Sequence, residues 1–173
     1  MDTTHLHLLL NHFPVIGTLI GSGLLLWGII KKQTNVKWLA AALLTIMAII
    51  AIPVYLTGEP AEESVEKLPG VSEAMIELHE DAATIAIWLM EITGLASLLA
   101  LFFSWKKKQS ANMLFTIAFI LSGICFAAMA RTGYYGGQIR HTEIRGGGIG
   151  NAQGQQETGN EKNEKDGKEK DDD

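Results

Sequence analysis

The sequence predicts an all-α integral membrane protein, a four-helix bundle that carries a polar C-terminal tail. Hydrophobic residues make up 47% of the 173 residues and are concentrated in four blocks, 13–30, 38–57, 82–105 and 111–130. At about 1.5 Å per residue, each block is long enough to cross a hydrocarbon core of roughly 30 Å. The blocks are apolar all round and do not alternate with a period of two, which argues against soluble amphipathic helices and against membrane β-strands.

The charges in the short loops predict the orientation of these helices. The first and third loops carry six lysines, whereas the second loop carries eight carboxylates and one lysine, Lys67. The six are Lys31, Lys32, Lys37, Lys106, Lys107 and Lys108. By the positive-inside rule, the lysines lie in the cytoplasm and both termini lie outside, as expected for a multi-pass protein of the bacterial inner (cytoplasmic) membrane.

Each element has its own sequence signal. The positive charges follow the first apolar block, so we expect a retained helix rather than a cleaved signal peptide. Residues 73–80 are good helix formers, and we expect the third helix to begin at about Ser72. Residues 1–145 form the transmembrane domain. Residues 146–173 have almost no large apolar side chains, and we expect them to be disordered.

Composition excludes several functions. The net charge is −5, and residues 157–173 alone contribute −4 through four lysines and eight carboxylates. The rest of the chain is therefore nearly neutral and lacks the overall positive charge that nucleic-acid binding requires. The single cysteine, Cys125, excludes an intrachain disulfide and a cysteine-ligated iron–sulfur site. No catalytic motif is present, so we expect that the protein is not an enzyme on its own.

Polar and small residues inside the apolar blocks leave alternatives open. Gly17, Gly21 and Gly28 share one helical stripe, which suits either close helix packing or room beside a flat ligand. Glu91 lies well inside the third block and is expected to face the bundle interior, because a membrane-embedded carboxyl is costly unless it is neutral, paired or hydrated. Two roles are open for Glu91. It is a functional group that relays protons or anchors a ligand, or it is a protonated, structural residue bonded to a hydroxyl. The hydroxyls considered are those of Thr18, Thr45 and Ser122.

Histidines are the sharpest functional signal, because the predicted topology places all five on the outer side. They are His5, His7, His12, His79 and His141. Helical rise places His12 about 28 Å above Lys31 and His79 about 40 Å above Lys106, with His5 nearer to the level of His79.

Two imidazoles on facing helices are the usual way to hold haem b. We expect His12 and His79 as the ligands, with His141 as a substitute ligand or, with Arg131 or Arg140, a partner of the propionates. Alternatively, a transition metal binds through His5, His7, His12 and His79, or no cofactor binds.

Three local patterns resemble a bacterial family of small four-helix membrane proteins labelled as a domain of unknown function. The patterns are His7-(four residues)-His12-Phe13-Pro14, Thr57-Gly58-Glu59-Pro60-Ala61 with His79 and Ala82, and Gly136-Gly137-(two residues)-Arg140-His141. The resemblance implies a four-helix bundle that is often encoded beside respiratory or redox genes. It also implies haem binding, with His12, His79 and His141 as candidate ligands.

These observations lead to three functional hypotheses. The first is electron transfer by a haem-bearing or metal-bearing membrane protein, acting as a homo-oligomer or with a respiratory-complex partner. The second is a non-catalytic scaffold subunit without a cofactor. The third is a small transporter that couples to protons through Glu91, although the chain shows no inverted repeat.

Overall fold

The computed structural model describes residues 3–66 and 68–139, and all regular structure within them is helical. The predicted all-α class is therefore confirmed for this part of the chain. The six helices are α1 (Thr3–Leu10), α2 (His12–Ile30), α3 (Thr34–Leu56), α4 (Gly58–Val65), α5 (Glu73–Trp105) and α6 (Ala111–Gln138). The predicted disorder of residues 146–173 lies outside the described residues.

Four of the helices, α2, α3, α5 and α6, are long and apolar enough to cross a membrane. Their outward faces carry large apolar side chains, among them Ile49, Trp88 and Leu95, each more than half exposed. Such broad apolar surfaces are unfavourable in water and suit a lipid environment. The helices therefore indicate a membrane protein.

The long helices pack along one another in a regular pattern. Helix α5 contacts α3 and α6, and α2 contacts α3 and α6 as well. The turns between α2 and α3 and between α5 and α6 carry lysines, and we call them the lysine-bearing turns. One apolar core, around Leu25, Leu44 and Phe115, lies toward these turns. A second core, around Met47, Met90 and Met129, lies nearer the opposite end.

The glycine stripe of α2 serves close packing against α3. A Cβ atom at Gly17 would lie 2.1 Å from Sδ of Met47, and one at Gly21 would lie 2.8 Å from Cδ2 of Leu44. Gly28 likewise leaves room for Lys37, whose Nζ donates to Oδ1 of Asn112 at 2.7 Å. Of the two interpretations left open by the sequence, the packing one is confirmed.

Additional helical structure covers the end of the molecule opposite the lysine-bearing turns. Helix α5 begins at Glu73 after Ser72, as the sequence predicts. Helices α1 and α4 were not predicted, because α1 precedes the apolar block and α4 has no sustained apolar stripe. They pack against each other, and the hydroxyls of Thr4 and Ser64 form a hydrogen bond between them.

Helix α1 runs into α2 through a turn at Asn11. The backbone N–H of Asn11 still donates to the carbonyl of His7 at 2.9 Å, so helical register is kept across the turn. Pro14 lies three residues further on and has no N–H to donate to the carbonyl of Leu10.

Candidate functional site

Two of the predicted histidines, His7 and His79, lie in the buried registers of their helices. His79 shares the stripe of α5 that carries Met75, Ala82 and Ala86, all buried. His7 precedes the buried residue Pro14 by seven positions, which is two helical turns. Each ring is partly buried, and the two are close enough that positive charges on both would repel each other.

The His7 ring is held by the end of α3. Its Nδ1 atom lies 3.0 Å from the backbone carbonyl oxygen of Val54 and 3.3 Å from Oγ1 of Thr57. The Thr57 hydroxyl is 2.8 Å from the carbonyl of Pro53, to which it donates. Gly58 borders the same ring, because a Cβ there would lie 3.7 Å from Cε1.

The His79 ring is held by α6 in a matching way. Its Nδ1 atom lies 2.9 Å from the backbone carbonyl oxygen of Thr132. Gly136 follows Thr132 by one helical turn, and a Cβ at this glycine would lie 3.0 Å from Nδ1 and 3.1 Å from Cε1. The absence of a side chain at residue 136 therefore lets the imidazole reach the carbonyl.

Both hydrogen bonds fix the tautomer of their ring. A carbonyl oxygen can only accept, so Nδ1 of each imidazole carries the hydrogen and donates it. The unprotonated nitrogen of each neutral ring is then Nε2, which keeps its lone pair for a ligand. An Nδ1–H bonded to a backbone carbonyl is also the usual support of a metal-ligating histidine.

Small and polar groups lie directly below this pair of rings, toward the lysine-bearing end. Ala82 and Ala86 follow His79 on its stripe, and Pro14 occupies the corresponding position below His7. Asn11 lies one turn below His7, and its Oδ1 atom is buried and accepts no hydrogen bond from the described residues. This end of the helix assembly thus combines two oriented imidazoles with small neighbours and one buried acceptor.

The structure does not bring His12 or His5 into this arrangement. His12 is exposed, and its Nδ1 lies 3.2 Å from the carbonyl of Leu8 in α1. His5 is also exposed. The pairing of His12 with His79 stays a prediction, and the structure exposes His12 while partly burying His7, which lies on a different face.

The arginines contribute less to the described site. Arg131 is exposed and stacks on Tyr135, with its Cζ atom 5.4 Å from the ring centroid. It borders a groove of about 380 Å³ between α5 and α6, which Asp81 and Ile85 also line. Arg140 and His141, the other expected partners, lie outside the part of the chain that the structure describes.

Carboxylates form a separate surface on α4 and the start of α5. Glu62 and Glu80 approach each other there, and Glu66, Glu73 and Glu77 border the same shallow groove. Among residues 3–66 and 68–139, no three His, Cys, Asp or Glu side chains are grouped so that they could hold a metal ion.

Glu91 lies in the middle of α5, distant from the histidines along the helix. It is partly buried, and its Oε1 atom is shielded from the surroundings without a hydrogen-bond partner among the described residues. Cys125 of α6 is near enough to interact with it electrostatically. The expectation that Glu91 faces the interior therefore holds for one carboxyl oxygen, while the residue lies at the margin of the buried face.

Sequence reasoning missed the role of the carbonyl groups of Val54 and Thr132, which no residue-type pattern reveals. Gly58 and Gly136, in contrast, belong to two of the three patterns that carry the family resemblance. Both patterns thus contain a residue that touches an imidazole.

No protein-family model, curated protein or solved structure matches the chain. Membership of the resembling family therefore stays a prediction.

Proposed function

We propose that the protein is a four-helix membrane protein that binds haem b through His7 and His79 and transfers electrons at the outer face of a bacterial inner membrane. One observation supports the proposal: both rings donate from Nδ1 to a backbone carbonyl, at 3.0 and 2.9 Å, which leaves the Nε2 lone pair of each ring for a ligand.

The number of available ligands favours haem over a bare metal ion. The porphyrin itself supplies four nitrogen ligands, so the protein needs to add only one or two axial ligands. A structural zinc ion needs about four ligands from the protein. Two histidines without a third grouped ligand in the described residues are therefore sufficient for haem and insufficient for a closed zinc site.

The surroundings of the rings support the same assignment. Carbonyl acceptors on Nδ1 orient each imidazole and increase its basicity, which strengthens its bond to iron. Gly58 and Gly136 allow each ring to approach the neighbouring helix, and the residues that follow His79 on its stripe, Ala82 and Ala86, are small. Arg131 and Arg140 are the proposed partners of the propionates, since a guanidinium pairs well with a carboxylate.

When bound, haem supplies a reversible one-electron carrier. The lysine-bearing turns lie at the opposite end of the helices from His7 and His79, and the positive-inside rule assigns those turns to the cytoplasm. Both termini and the histidines then lie at the outer face. An electron acceptor on that side, or a respiratory-complex partner in the membrane, would complete the transfer.

The proposal is tested by the absorption spectrum and metal content of full-length protein, purified from cells supplied with a haem precursor. We expect about one haem per chain, and at least a roughly tenfold loss of haem in His7→Ala and in His79→Ala. His12→Ala is the matched control and should retain its haem. Protein with neither haem nor metal would refute the proposal and leave a scaffold subunit.

A further inference from the structure

Glu91 is a membrane-embedded acid that the histidine site does not use. It is the only carboxylate between Asp81 and the end of α5, and α2, α3 and α6 contain none. It follows His79 by twelve residues, or about 18 Å of helix. Placing such a group within the apolar part of a membrane helix is costly, so its presence there requires a physical reason.

A purely structural role would require the Glu91 carboxyl group to bond to a neighbouring hydroxyl, and no such bond exists among the described residues. The Thr18 hydroxyl donates to Sδ of Met90 at 3.4 Å. Those of Thr45 and Ser122 donate to the carbonyls of Ala41 and Phe119 in their own helices, at 2.9 and 2.8 Å. None of the three hydroxyls expected from the sequence bonds to Glu91, and its Oε1 remains buried without a partner among the described residues.

Two further buried polar atoms share this property, and they lie on either side of Glu91 along the helices. They are Oδ1 of Asn11, one turn below His7, and Oγ of Ser97, six residues beyond Glu91 on α5. Helical rise separates Glu91 from Ser97 by about 9 Å along the axis. Buried polar atoms in proteins are almost always satisfied, and ordered water is the usual partner when no protein group serves.

Hydroxyl and thiol groups occupy the interior at the same depths. The Oγ atoms of Ser22 on α2 and Ser122 on α6 lie 2.8 Å apart, and each serine also has a backbone carbonyl of its own helix within hydrogen-bond distance. Cys125 lies one turn further along α6 and contacts Met90 through sulfur at 3.7 Å. We define Asn11, Glu91, Ser97, Ser22 and Ser122 as the polar track.

We propose that Glu91 carries protons along this polar track, through water that bridges its members between the histidine end and the lysine-bearing end of the helices. In each step, an O–H bond of the Glu91 carboxylic acid breaks as an O–H bond to a water oxygen forms. The returning proton regenerates the acid, so no oxidant or reductant is needed. This function does not depend on haem.

The direct test is infrared spectroscopy of the full-length protein in liposomes, with the carboxylic-acid C=O band assigned by subtraction of the Glu91→Gln spectrum. A proton-carrying acid exchanges with bulk water, so we expect the band to shift within seconds of transfer into D₂O. A band that stays unshifted while the liposome interior has equilibrated, or no acid band at all, would overturn the proposal.

A second measurement follows proton entry into the same liposomes with an internal pH dye and an imposed membrane potential. We expect Glu91→Gln to slow proton entry roughly a hundredfold and Glu91→Asp to retain most of it. Ser97→Ala should also slow it, whereas Thr116→Val removes an exposed hydroxyl that bonds within its own helix and should have no effect. Equal rates in wild type, Glu91→Gln and protein-free liposomes would exclude proton transfer. Because neither measurement needs haem, a failure here leaves the histidine assignment untouched.

Discussion

Gly136 offers the sharpest test of how His79 is positioned. In the variant Gly136→Ala, the added Cβ would lie 3.0 Å from Nδ1 of His79, whereas ordinary van der Waals contact begins at 3.4 Å. The ring must therefore withdraw by 3.4 − 3.0, or about 0.4 Å. A hydrogen bond of 2.9 Å to the Thr132 carbonyl would lengthen to about 3.3 Å, beyond the favourable range.

The loss of that hydrogen bond should cost about 0.5–1.5 kcal/mol, which corresponds to a roughly two- to tenfold weaker haem affinity. The assay is a titration of haem into purified haem-free protein, followed by absorbance. Gly133→Ala is the matched control, because it lies on the same helix and its added Cβ would meet nothing within 4 Å. If Gly136→Ala and Gly133→Ala bind haem equally well, the proposed support of His79 by Thr132 is refuted.

Two further predictions test the packing and the orientation. Gly94→Ala should destabilise the fold by about 1–3 kcal/mol, because the added Cβ would collide with the Cβ of Ala48. In the control Gly123→Ala, the added Cβ meets nothing within 4 Å, and we expect no loss of stability. Denaturant unfolding in detergent compares the two variants, and an equal loss of stability in both would contradict the close packing of Gly94 on Ala48. By the positive-inside rule, Glu63→Cys should react with an impermeant thiol reagent added outside intact cells, and Lys107→Cys should react only after lysis. The native thiol, Cys125, is buried and should contribute little labelling of its own. The reverse labelling pattern would invert the proposed topology.

The apolar blocks predicted the long helices well, because membrane length and hydropathy are direct physical constraints on sequence. The start of α5 after Ser72 was also predictable, since helix-forming residues continue the third block. Helices α1 and α4 were not, because their stability comes from mutual packing at the end of the assembly rather than from a periodic apolar pattern.

The depth of the histidines along the helices was predictable from the sequence, and which of them faces inward was not. Counting residues gives the depth of a side chain, and it placed the matching partner of His79 near residue 5, at a level closer to His7 than to His12. It does not give the rotation of the helix, which directs His7 inward and exposes His12. The acceptors Val54 and Thr132 act through backbone carbonyls, and every residue type has one.

The pairing of His7 with His79 is tested most directly by the electron paramagnetic resonance spectrum of the oxidised full-length protein, because the signal reports the axial ligands of the iron. We expect a low-spin ferric haem with two imidazole ligands. That signal should be lost in His7→Ala and in His79→Ala and kept in His12→Ala. A wild-type protein without ferric haem, or a low-spin signal that disappears in His12→Ala and persists in His7→Ala, would refute the pairing of His7 with His79.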